Sequence, residues 1–178
     1  MMVRRVRRGE WREVRRLRLE ALRDPDAGIA FLDDYERVSA QSDAFWVERT
    51  ETAADGDDAA QFIAEGDDDW VGTVTVLIRR AGTIDHLGRT VGTARADVVG
   101  VFVRPSHRGD GTIDALFDEA TAWATAAGAT SLTLDVHADN PRAQGAYRRA
   151  GFTPTGETLT GPIGRELVMS RPLVAARS

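Results

Sequence analysis

At 178 residues, with 42% hydrophobic and 29% charged residues, the chain has the size and composition of a single domain, 1–178, with a sizeable core. It contains no cysteine, which excludes disulfides, thiolate metal sites and an acyl-cysteine intermediate. A net charge of −5 argues against nucleic acid as a partner, and no apolar run approaches the roughly 18 residues of a membrane helix.

The opening stretch MMVRRVRRGEWREVRRLRL has no apolar segment of signal-peptide type, and Glu10, Glu13 and Glu20 separate it from a transit peptide. A cytoplasmic location is expected. All 23 basic residues are arginine and eight lie in the first 18 positions, whereas 51–70 is acidic with no basic residue. A solvated helix face and acidic turns are the expected form of both, with a basic patch for an anionic partner as the alternative.

MVRRVRR (2–8) alternates as a short strand. GEWREVRRLRLEALRD (9–24) sets Trp11, Val14, Leu17 and Ala21 at helical spacing, and Pro25 follows as a stop. Residues 25–38 read as a loop with a helical turn, and 39–53 as a second helix with Ser39 or Ser42 as N-cap. The period then changes to that of strands at 59–66 and 69–80, around the acidic turn EGDDD. That turn lacks the residue order of a calcium loop. A glycine-rich connection (81–93) leads to a strand at 94–105.

GDGTIDALFDEATAWATAAG forms a helix whose apolar stripe is Ile113, Leu116, Phe117, Ala120, Trp123, Ala124 and Ala127, with Gly128 past its end. TSLTLDVHA (130–138) is a strand. DNPRAQGAYRRAG (139–151) opens with Asn140 as N-cap and Pro141 at the first helical position, and ends at Gly151. FTPTGETLTGPI is loop or strand, and 164–172 a final strand. Strand–helix–strand at 94–138 implies a parallel crossover, while the closely spaced earlier strands suit antiparallel pairing. The fold expected is a mixed central β-sheet flanked by helices on both faces.

A strand feeding a glycine loop and a helix N-terminus is a generic anion site, because free N–H groups and the helix dipole meet there. The loop here is neither a Walker loop nor a dinucleotide fingerprint. NPRAQGAYRRAGF (140–152) has the form N-x-x-A-x-x-x-Y-x-x-x-G-F. Together with VFVRPSHRGDG (101–111) it resembles the GCN5-related N-acetyltransferase (GNAT) family, most strongly over 94–152. The resemblance implies the GNAT fold and acetyl-CoA as co-substrate. The acetyl group would pass directly to an amine-bearing acceptor, a small molecule or a protein N-terminus. No membrane or nucleic-acid partner is implied, and a homodimer is admitted.

The same resemblance assigns roles. The amides of Arg108, Gly109, Asp110, Gly111, Thr112 and Ile113 would hold the pyrophosphate, and Asn140 the pantetheine arm. The backbone of Val101, Phe102 and Val103 would pair with that arm and give an N–H to the acetyl carbonyl. Tyr147 would assist the leaving sulfur. Asp97 is the candidate base, although a carboxylate near pKa 4 needs a water chain or a raised pKa to deprotonate an ammonium.

Each candidate also has a structural reading: Asn140 as a cap, Tyr147 in an apolar stripe with Ala143, Ala146 and Ala150, Asp97 as a strand-end charge. His107 reads as an exposed loop residue, and His86 and His137 lack a ligand pattern. The loop departs from the family's R-G-x-G-x-G/A: Ile113 replaces the last small residue, and Asp110 stands where a basic or neutral residue is usual. Asp110 and Asp114 suit a positive helix end but repel a phosphate. A non-catalytic GNAT-fold binding or regulatory module is therefore the competing reading. Acceptor choice is expected from 25–38, 81–93 and 155–165, with Asp33, Asp34 and Tyr35 able to attract a cation.

Overall fold

The structure, a computed structural model, describes residues 1–85, 88 and 90–174. Its strands β1 (Met2–Arg5), β2 (Ala59–Glu65), β3 (Trp70–Arg79), β4 (Arg95–Val103), β5 (Ser131–His137), β6 (Thr153–Gly161) and β7 (Gly164–Pro172) form one sheet. The strand order is β1-β2-β3-β4-β5-β7-β6. Every neighbouring pair is antiparallel except β4 and β5, which are parallel and joined through α5 (Thr112–Ala126). The other helices are α1 (Trp11–Ala21), α2 (Ala27–Ala30), α3 (Tyr35–Ser39), α4 (Asp43–Asp55) and α6 (Pro141–Arg149).

Two cores sandwich the sheet. On one face α1 and α4 bury Val14, Leu17, Ala21 and Trp46 against Ile63 and Phe102. On the other, α5 buries Leu116, Phe117, Ala120 and Ala124 against Phe62, Val74, Val98 and Leu134, and Ala143 and Tyr147 of α6 pack beside them. These are the stripes the helical spacing of the sequence predicts. Fully burying a side chain such as Leu116 or Phe117 contributes about 1.5–3 kcal/mol. Close packing of α5 depends on Gly72, where a Cβ would stand 3.1 Å from Leu116 Cδ1 and 3.2 Å from Thr112 Cγ2.

Several details differ from the expectations. Segment 153–161, undecided between loop and strand, is β6, and it forms a hairpin with β7. The N-terminal arginines are more than a solvated helix face. Arg4 binds Glu10 and Glu65, Arg8 pairs with Asp55, and Arg16 with Asp69. Arg5 donates to the carbonyls of Ala53, Gly56 and Ala59. The acidic stretch 51–70 is thus the main partner of the basic N-terminus. His86 lies outside the described residues.

Two features of β4 shape the functional region. β4 and β5 pair only at Ala96–Leu132 and Asp97–Thr133, and beyond this the strands diverge. Within β4, Gly100 and Val101 together stand opposite the single residue Val74, a bulge made possible by Gly100 at φ +61°. The extra residue shifts the side-chain alternation. Ala96 and Val98 face the α5 side before the bulge, and Val101 and Val103 face it afterwards. Phe102 joins the α1–α4 core.

Candidate active site

The divergence of β4 from β5 opens a cavity of about 610 Å³, lined by β4 residues 98–103, β5 residues 134–137, the loop 107–114, α6 and the segment around α2. A volume of this size suits a small-molecule or cofactor arm.

The glycine loop enters from β4 through a 3-10 turn, Pro105–His107. Arg104 anchors its start by a two-pronged bond to Glu20 (2.6 and 2.7 Å) and a third bond to Asp69 (2.9 Å). Gly109 and Gly111 adopt φ of +86° and +93°, with nothing within 4 Å of where a Cβ would be. In this conformation the N–H groups of Gly109, Asp110 and Gly111 make no hydrogen bond among the described residues. Three successive free amides before a helix N-terminus form an anion cradle.

Asp110 occupies the next position of that cradle. Its Oδ1 accepts from Thr112 N–H (2.9 Å) and from Thr112 Oγ1 (2.6 Å), and its Oδ2 lies 3.0 Å from His107 Nδ1. The Thr112 hydroxyl and N–H hold its carboxyl below the usual range, with a smaller effect from His107. A carboxylate therefore takes the amide that follows the three free ones. Arg108 is partly committed elsewhere. Its Nε donates to Val103 O at 3.0 Å and its guanidinium pairs with Asp24. Ile113 is half-buried, packing on the α5-side core while lining the cavity.

Asn140 and Tyr147 line the same cavity. Asn140 caps α6, its Oδ1 accepting from Ala143 N–H at 3.1 Å, which leaves the side-chain NH₂ without a partner among the described residues. Tyr147 packs edge-on against Phe117, ring centroids 6.0 Å apart, and its hydroxyl bonds no described residue. Burial pushes the Tyr147 pKa up to about 12, with the charge of Arg142 opposing it slightly. Structural and cavity-facing roles coexist in both side chains.

Asp97 lies early on β4, as expected, but away from the cavity. Its two oxygens are taken by Arg79 Nε (2.8 Å) and Arg95 Nε (2.9 Å), and it contributes nothing to the cavity lining. Arg95 also reaches the buried Asp85 at 3.1 Å. Asp97 is a cross-strand brace, and the stretch of β4 that lines the cavity, Val98–Val103, carries no ionisable side chain. His137 is likewise committed: Nδ1 accepts from Asp139 N–H at 3.0 Å, so Nε2–H donates to Ile163 O at 2.7 Å.

The segment around α2 forms the opposite wall. Phe31, Leu32 and Asp33 line the cavity, and Asp24 and Asp26 tie this wall to Arg108 and Arg142. Burial opposes ionisation of Asp24, but the Asp26 N–H and Arg108 outweigh it and keep its carboxyl below the ordinary range. Asp34 caps α3 and Tyr35 contacts Arg23, so Asp33 alone of the expected trio lines the cavity. Described residues of 81–93 and 155–165 do not line it. Sequence reasoning missed Arg18, Arg49, Asp135 and Glu166, which do. Their strand and helix positions resemble ordinary surface charges.

The chain matches the model of the acetyltransferase (GNAT) family over residues 12–152 and belongs to that family. The acetyltransferase of the GNAT family from Streptococcus pneumoniae superposes with a TM-score of 0.78 at 16% identity, covering 97% of this chain and 99% of that one. A phosphinothricin acetyltransferase from Sinorhizobium meliloti, solved in complex with AcCoA, gives 0.70 at 18% identity, covering 97% and 88%. At such identities the likeness is one of fold, and it establishes the GNAT fold. Nourseothricin acetyltransferase is 35% identical over 66% of each chain, with a TM-score of 0.53. Comparison with curated proteins gives no match. Among the described residues no helix is long and apolar enough to cross a membrane.

Proposed function

We propose that the protein is an acetyl-CoA-dependent N-acetyltransferase acting on the amine of a small molecule or a protein N-terminus. The observation that carries this reading is the run of free amides at Gly109–Gly111, opening into a cavity that continues past Asn140 to the Tyr147 hydroxyl. Acetyl-CoA supplies an acetyl thioester: the amine nitrogen bonds to the carbonyl carbon, the C–S bond breaks, and sulfur leaves as the thiol after taking up a proton.

The loop amides hold the pyrophosphate, and Asn140 donates its free NH₂ to the pantetheine arm. The edge of β4 left unpaired by β5 offers backbone groups to the amides of that arm. A backbone N–H at the Gly100–Val101 bulge stabilises charge developing on the acetyl oxygen. Tyr147 hydrogen-bonds the departing sulfur. With its pKa near 12, full proton transfer to a free thiolate of pKa about 8.5 is uphill by about 5 kcal/mol. The hydroxyl therefore acts as a donor whose bond strengthens as the C–S bond breaks. With Asp97 tied up between two arginines, the amine proton leaves through the open acceptor side, past Asp33, Asp135 and Glu166.

The occupied Thr112 amide favours a second reading, a GNAT-fold module that binds without turnover. Release of CoA thiol from acetyl-CoA with a panel of amines decides between them. Amine-dependent release supports the transferase, and acetyl-CoA binding without release supports the module.

A further inference from the structure

Arg49, on α4, is a cation that lines the cavity beside the β4 bulge. It lines the main cavity and also borders, with Gly100, Thr73 and Thr75, a small void beneath the bulge. It makes no hydrogen bond or ion pair among the described residues, whereas Arg18, Arg108 and Arg142 around the same cavity pair with Asp33, Asp24 and Asp26. Arg149, at the end of α6, also lines the cavity without such a bond, but of the two only Arg49 borders the void beneath Gly100. Arg49 is solvent-exposed, so its guanidinium is open to a ligand that enters the cavity. The surrounding protein partly desolvates Arg49 and lowers its pKa, the like charge of Arg18 adds to this, and Asp33 opposes it.

We propose that the acceptor is a small amino carboxylic acid whose carboxylate binds Arg49 while its amine faces the Gly100–Val101 bulge. This rests on the acetyltransferase reading above. The planar guanidinium fork matches a carboxylate in geometry and charge. Asp33, Asp135 and Glu166 on the same cavity disfavour a dianion such as phosphate and attract the ammonium end. A polyamine would bring a second cation to Arg49, and a peptide N-terminus would leave it facing a neutral amide.

The test compares free L-amino acids with their carboxamides, spermidine and a tripeptide, following CoA thiol with a chromogenic reagent that has no protein cysteine to react with. The best amino acid should exceed its carboxamide by about ten-fold or more in kcat/KM, mainly through KM. Arg49→Gln should bring that ratio close to one, and Arg49→Lys should keep part of it. A carboxamide, spermidine or tripeptide as good as the acid, or Arg49→Gln lowering acid and amide alike, overturns the proposal. Thermal shift with the same acids and carboxamides needs no turnover. Stabilisation by the acid alone, lost in Arg49→Gln, supports the site, and equal or absent shifts overturn it. Failure of acetyl-CoA itself to bind would sink the transferase reading, and the Arg49 site would still be judged by this second comparison.

Discussion

Replacing Asp110 by alanine should move two quantities in opposite directions. In the free protein this carboxylate, one residue before the α5 N-cap, accepts from Thr112 N–H at 2.9 Å and Thr112 Oγ1 at 2.6 Å, and losing these bonds costs about 1 kcal/mol. For a chain of this length the unliganded Tm should fall by about 2–4 °C. Pyrophosphate binding must displace the same carboxylate, so its removal spares that same energy, about 1 kcal/mol. Removing one negative charge about 6 Å from the ligand adds about 0.7 kcal/mol in a water-like dielectric. The sum, about 1.7 kcal/mol, corresponds to roughly fifteen- to twenty-fold tighter acetyl-CoA binding at low salt.

The electrostatic share should shrink as salt is raised. Because the folded-state pKa of Asp110 is depressed, its contribution is present at neutral pH and lost as pH falls through that value. The Tm gap between the two proteins should therefore begin to narrow only below about pH 4 and close as pH falls through the depressed folded-state value. Calorimetric titration and melting curves read both effects. A lowered Tm with unchanged or weaker acetyl-CoA affinity would refute the placement of the pyrophosphate at this loop.

Tyr147→Phe should lower turnover by about 10- to 1,000-fold with acetyl-CoA affinity within a few-fold, and unchanged turnover would reduce Tyr147 to packing. Since its pKa is pushed to about 12, the wild-type rate should show no alkaline decline from this residue up to about pH 11, which a pH–rate profile checks. Asp97→Asn weakens the bonds to Arg79 and Arg95 and should cost about 1.5–3 kcal/mol in a denaturant melt, with turnover of the folded variant within a few-fold. A hundred-fold loss of kcat would restore Asp97 as a base. Gly72→Ala should cost about 1–3 kcal/mol by crowding Leu116 and Thr112, and an unchanged melt would contradict the close approach of α5.

Local patterns made much of this legible. Asn140, Pro141 and Gly151 bracket α6 because caps act within a few residues, and the apolar stripes of α1 and α5 follow directly from helical spacing. The bulge at Gly100 was hidden, since one extra residue in a valine-rich strand leaves no mark in the alternation. Asp97 looked like a free carboxylate because Arg79 reaches it only across the folded sheet, and because Arg95, two residues away, becomes its partner only when β4 is extended with both side chains on one face. Arg49 reads as a surface residue of α4, and its position beside Gly100 depends on how α4 meets the sheet. The aspartate of the glycine loop was legible as a cap and as a repulsion. Its occupation of the Thr112 amide follows only from the folded loop geometry.

Titration of the unmodified protein with acetyl-CoA, read by calorimetry and by melting, tests the central claim most directly. Saturable one-site binding is expected, with Tm raised by about 5–10 °C at a hundred-fold excess over Kd. Neither heat nor a Tm shift at millimolar acetyl-CoA would contradict it.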